Sequence, residues 1–122
     1  QRAIFVSREN ARTLKAAELI QKGDINGFGE LMYQTHEGLS KNYEVSCKEL
    51  DFLVDLSKQY PQVVGSRMMG GGFGGCTINL IEEGFVNEFM DIASKAYNAT
   101  FDINLTSILV ATSNGVEIIK PA

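Results

Sequence analysis

The sequence is short of the residues that mark several functions. It holds one histidine, two cysteines and no tryptophan in 122 residues. Cys47 and Cys76 show no Cys-x-x-Cys spacing, so neither a zinc nor a redox motif is supported. They read as two reduced thiols of a cytoplasmic protein, with a single disulfide left open. Basic residues do not outnumber acidic ones. The net charge of −4 argues against a nucleic-acid module, which carries a basic patch. It does not exclude a phosphate site, because backbone amides bind anions without any cationic side chain. No uninterrupted apolar run approaches a membrane span, and Gln1 to Val6 holds no apolar core of signal-peptide length.

What is present is ordinary for a folded domain. Hydrophobic residues make up 44% and charged residues 21%, enough for one domain with a true core. The chain starts without methionine, and its first residues already read as helix interior. A domain cut from a longer protein is the expectation.

Helical spacing predicts a first helix over 1–22, with Ala3, Val6, Leu14, Ala17 and Ile20 on one stripe. Gly23 is its stop, and Asp24 is the cap of a second helix over 25–39. His36 lies on that helix's apolar stripe. It reads either as an active-site base or ligand, or, the favoured reading, as a hydrogen-bonded core histidine. Ser46 and Glu49 match a capping box for a third helix, which Pro61 ends. Glu49, Asp51 and Asp55 read as its solvated surface. After Cys76 to Ile81, which alternates like a strand, a fourth helix is expected over 85–98. Thr106 to Thr112 reads as a strand, Asn114-Gly115 as a hairpin turn, and Val116 to Ile119 as the returning strand. The sum is an α+β domain, a four-stranded antiparallel sheet covered by helices.

The centre of the sequence is Gly65-Ser66-Arg67-Met68-Met69-Gly70-Gly71-Gly72-Phe73-Gly74-Gly75-Cys76. Five glycines in six positions imply a backbone that side chains would obstruct. Gly70, Gly72 and Gly75 spell the letters of a dinucleotide fingerprint, but a strand follows where that motif needs a helix. No Gly-Lys-Ser/Thr closes the run, and the partner motifs of a protein kinase are missing. Two readings stay open. One is a wide hairpin or bulge with Phe73 packed as an anchor. The other is a nest of N–H groups around an anion such as a triphosphate, where catalysis is mostly positioning. Arg67 either faces the same charge or pairs with a carboxylate beside the sheet.

The run from Tyr43-Glu44-Val45-Ser46-Cys47-Lys48-Glu49-Leu50-Asp51 through the glycine stretch to Thr77 resembles the C-terminal part of the galactokinases. These belong to the galactokinase, homoserine, mevalonate and phosphomevalonate (GHMP) kinase superfamily. Thr35-His36-Glu37-Gly38-Leu39 stands where that family has Asn/Ser-His-x-x-Leu. The resemblance covers nearly the whole chain. It implies a ferredoxin-like GHMP C-terminal domain over 1–122, part of a two-domain kinase using ATP and Mg²⁺ to make galactose 1-phosphate. Its partner would be the N-terminal kinase domain of the same chain. That domain carries the sugar-binding motif, the nucleotide loop and the catalytic aspartate and arginine, so no catalytic residue and no metal ligand is expected here. Gly70, Gly71, Gly72, Phe73, Gly74 and Gly75 would form the third-motif loop near the phosphates, with Arg67 and Met69 as support. Met69 replaces the family's usual Thr, which removes a hydroxyl beside the loop. The fragment alone is expected to be inactive and to bind no cofactor tightly. The alternative is a stand-alone module that binds a phosphorylated metabolite or a protein partner.

Overall fold

The computed structural model describes residues 1–121. Helix α1 spans Arg2–Gln21, α2 Ile25–Lys41 and α3 Lys48–Ser57. Strands β1 (Val63–Met69) and β2 (Cys76–Ile81) follow, then a 3₁₀ turn (Glu83–Phe85) and α4 (Val86–Phe101).

Local signals account for most of these boundaries. Gly23 adopts φ +73° after α1, a left-handed stop that side chains resist. Asp24 then caps α2 by accepting the Gly27 amide at 2.9 Å. Glu49 and Asp51 occupy the first turn of α3, where the helix dipole favours negative charge. Ser46 is not the cap of α3; that position is Cys47, without a side-chain bond.

β1 and β2 pair antiparallel from Val63↔Ile81 to Met69↔Cys76, with one irregularity between Val63 and Gly65. The inner side of β1 is closed by α2 at very short range. A Cβ on Gly29 would lie 2.1 Å from the Val64 carbonyl oxygen, and one on Gly65 would meet the Gly29 backbone at 2.6 Å. Only a glycine pair lets helix and strand backbones touch this way. At the other end of the sheet Leu56, Val63, Phe85, Phe89 and Ala93 form a buried cluster, with Phe52, Tyr60, Ile81 and Leu105 packed against it. Val54 and Met68 lie among the largest fully buried side chains. Burial of this kind contributes about 25 cal/mol per Å² of apolar surface.

The α+β class stands, but among the described residues the sheet has two strands and not four. Residues 103–121 form neither helix nor strand. Leu105 packs on the core cluster, whereas Ile108, Leu109, Val110, Val116, Ile118 and Ile119 are exposed. The expected strands Thr106 to Thr112 and Val116 to Ile119 have the right residue types, and Asn114-Gly115 the right turn chemistry. A lone two-stranded hairpin is nevertheless marginal in water, and among the described residues no third strand or helix covers its apolar face.

Candidate functional site

The ladder closes at Met69↔Cys76, so Gly70 to Gly75 must return the chain. A tight turn would need two residues; this loop spends six on a distinct shape. Gly72, Phe73, Gly74 and Gly75 have φ of +87°, +61°, +139° and +101° in succession, and Gly70 has +87°. The tip of the loop is tied down once. The Phe73 amide donates to the Val45 carbonyl at 2.7 Å. A Cβ on Gly72 would stand 2.1 Å from that same oxygen, so glycine is required there by space and by φ. Among the described residues no other amide of Gly70 to Gly75 makes a backbone hydrogen bond. The loop therefore offers several free N–H groups on a held backbone. That arrangement suits an oxyanion.

Phe73 is not an anchor. Its side chain is 76% exposed, because the positive φ turns its amide inward to Val45 and its ring out to solvent. A left-handed conformation at a bulky residue is strained. Arg67 is half-buried and forms no ion pair among the described residues; its Nη1 lies 3.4 Å from the Met68 carbonyl, the long end for a hydrogen bond. Met69 ends β1 with an exposed side chain.

A polar cluster lies beneath the loop. His36, 4% exposed, accepts the Met68 amide at Nδ1 (3.0 Å), and its Nε2 lies 2.8 Å from Asp51 Oδ1. A nitrogen that accepts an N–H carries no proton. His36 is therefore neutral in this arrangement, with its proton on Nε2 donated to Asp51. Asp51 also accepts from Ser46 (2.6 Å) and Ser40 (2.9 Å). Burial alone would raise the Asp51 carboxyl pKa. The hydrogen bonds from Ser46, Ser40 and His36 outweigh that and hold it below the usual carboxylate range. The favoured reading of His36 as a hydrogen-bonded core histidine agrees with this geometry. Asp51 is a correction: it is the hub of the cluster rather than plain helix surface. Ser46 serves Asp51 instead of the helix end, which is why the capping box fails. The legible signal was the histidine itself, since a buried imidazole calls for a partner at each ring nitrogen.

Beside this, the sheet carries a second polar pair: buried Ser66 donates to Asn79 at 2.6 Å across the ladder. No group of three His, Cys, Asp or Glu side chains among the described residues could hold a metal ion. Cys47 and Cys76 are both free. Two clefts, of about 360 and 490 Å³, lie on α2; one is lined by Tyr33, Lys58 and Tyr60, the other by Phe5, Arg8 and Lys41. No loop residue lines either cleft. Among the described residues no helix is long and apolar enough to cross a membrane.

Residues 16–99 match the family described as GHMP kinases C terminal. The galactokinase of Canis lupus familiaris is 46% identical over 100 residues, which is 82% of this chain and 26% of that protein. The galactokinase of Thermotoga neapolitana is 40% identical over 117 residues, 96% of this chain and 33% of that protein. The crystal structure of Lactococcus lactis galactokinase complexed with galactose superposes with a TM-score of 0.76 at 35% identity, covering 80% of this chain and 25% of that one. The chain thus spans about a quarter to a third of the length of the relatives it matches.

Proposed function

This chain belongs to the family of GHMP kinase C-terminal domains, and we propose that it serves as the C-terminal domain of an ATP-dependent galactokinase. The reaction converts galactose and ATP to galactose 1-phosphate and ADP. The observation that carries the reading is the glycine loop: five positive-φ residues, one tie to Val45, and neighbouring amides with no backbone acceptor. In a phosphoryl transfer such amides stabilise charge on the phosphate oxygens at the moment it develops, with no reorganisation cost. The loop acts as one wall of a cleft whose other wall is the N-terminal domain of the same chain. In this reading Mg²⁺ arrives with ATP and is held by groups of the N-terminal domain. The C-terminal domain alone supplies neither the attacking-hydroxyl base nor the metal ligands, so it has no kinase activity and holds no nucleotide tightly. Two free thiols fit a cytoplasmic enzyme.

The test is galactose-dependent ADP release by the full-length protein, run beside a panel of other sugars and beside this chain alone. Phosphorylation of galactose by the long protein, and by it only, is the expected result. Absence of turnover with every sugar would overturn the kinase reading. Turnover by residues 1–122 alone would overturn the division of labour.

A further inference from the structure

We infer that His36 is a positioning residue for the glycine loop, closing a hydrogen-bonded circuit that holds the loop at its root and its tip together. The circuit can be walked atom by atom. At the root, the Met68 amide, two residues before Gly70, donates to His36 Nδ1 at 3.0 Å. His36 Nε2–H donates to Asp51 Oδ1 at 2.8 Å. Ser46 Oγ donates to the same carboxylate oxygen at 2.6 Å. Ser46 follows Val45, whose carbonyl accepts the Phe73 amide at the loop tip at 2.7 Å. Three elements meet in it: α2 brings His36, the start of α3 brings Asp51, and β1 brings Met68. The side of Val45 is packed too, against Gly72.

This placement has a chemical logic. A strand amide usually goes to a ladder partner or to water; the Met68 amide goes to a buried imidazole. The imidazole has two nitrogens on opposite sides of a rigid ring. It therefore transmits the position of Asp51 to β1 without the freedom of a longer chain. Ser40 fixes the second carboxylate oxygen at 2.9 Å, so the hub cannot rotate. No side-chain polar atom buried among the described residues is left without a partner, so the circuit is complete as built. A loop of five glycines has little stiffness of its own. Its shape is imposed from outside, and His36 is the link between its two points of attachment. The consequence for phosphate positioning rests on the galactokinase reading; the structural coupling does not.

The experiment uses the full-length protein and two readouts, residue-resolved amide exchange and steady-state kinetics. In His36→Gln the amide end reaches the Nε2 position, keeping Asp51 but losing Met68. In His36→Asn the side-chain oxygen falls near the Nδ1 position, keeping Met68 but losing Asp51. The expected result for His36→Gln is exchange of both the Met68 and the distant Phe73 amide faster by roughly three- to tenfold, the factor one hydrogen bond is worth. Amides within α4, packed on the other cluster, keep their rates. Ser46→Ala opens the circuit on its far side and speeds Phe73 and Met68 together; it serves also if the histidine variants do not fold. The kinetic signature is a fall in kcat with the KM for galactose unchanged, partly recovered in His36→Asn. Unaltered Phe73 exchange in His36→Gln and Ser46→Ala overturns the coupling, and so does an acceleration shared equally by α4. Faster Phe73 exchange with no kinase activity in the parent protein would leave the circuit standing and sink the galactokinase reading instead.

Discussion

Replacing the loop glycines one at a time by alanine separates the two reasons a glycine can be needed. Gly71 has no positive φ, and a Cβ there meets nothing within 4 Å. Gly71→Ala is expected to be neutral or slightly stabilising, since alanine restricts the unfolded chain by about 0.4–1 kcal/mol. Gly70 has φ +87° and open space, so Gly70→Ala carries only the left-handed penalty of roughly 1–2 kcal/mol. Gly72 combines φ +87° with a Cβ position 2.1 Å from the Val45 oxygen. That oxygen is the acceptor of the Phe73 amide, so moving it also costs the hydrogen bond, about 0.5–1.5 kcal/mol. The sum for Gly72→Ala is about 1.5–3.5 kcal/mol. Urea denaturation of the domain within the full-length protein, with kinase assays on the same variants, reads the series. Stability should fall in the order Gly71, Gly70, Gly72. A Gly71→Ala variant as damaged as Gly72→Ala, or a harmless Gly72→Ala, would refute the loop geometry and the reasoning built on it.

Two further outcomes test the scaffold. Leu50→Ala empties a site that is 2% exposed and should cost about 2–5 kcal/mol in equilibrium unfolding. Asp51 has a folded-state pKa below its unfolded value, so its contribution is present above the ordinary carboxylate pKa of about 3.9 and is lost as pH falls through the folded value. Asp51→Asn should therefore be less stable than the parent at pH 7, with the gap closing below about pH 4 in denaturation curves taken across pH. A gap independent of pH would show that the carboxylate's charge plays no part.

The sequence could say much about elements and little about what joins them. Gly23 and Asp24 mark the break between α1 and α2 because their signals act over four residues. The alternation of Cys76 to Ile81 and the glycine run state a strand and an unusual return. The Asn114-Gly115 hairpin shows the limit of that method. Turn chemistry is local, but a hairpin persists only where something covers its apolar face, and Val116, Ile118 and Ile119 stand exposed among the described residues. Phe73 shows it again, since whether an aromatic points in or out hangs on one backbone angle.

By itself, then, the sequence determined the helices, the two strands, the loop that returns between them and its kinship to a kinase domain, because periodicity, caps and glycine are read from neighbours. Only the tertiary structure decided that His36, Asp51, Ser46 and Met68 form one cluster and that Val45 holds the loop tip. Those partners are separated by up to 32 residues, and no local rule brings an imidazole to one particular amide. The packing of α2 on β1 through Gly29 and Gly65 does that, by setting helix and strand close enough for the ring to bridge them.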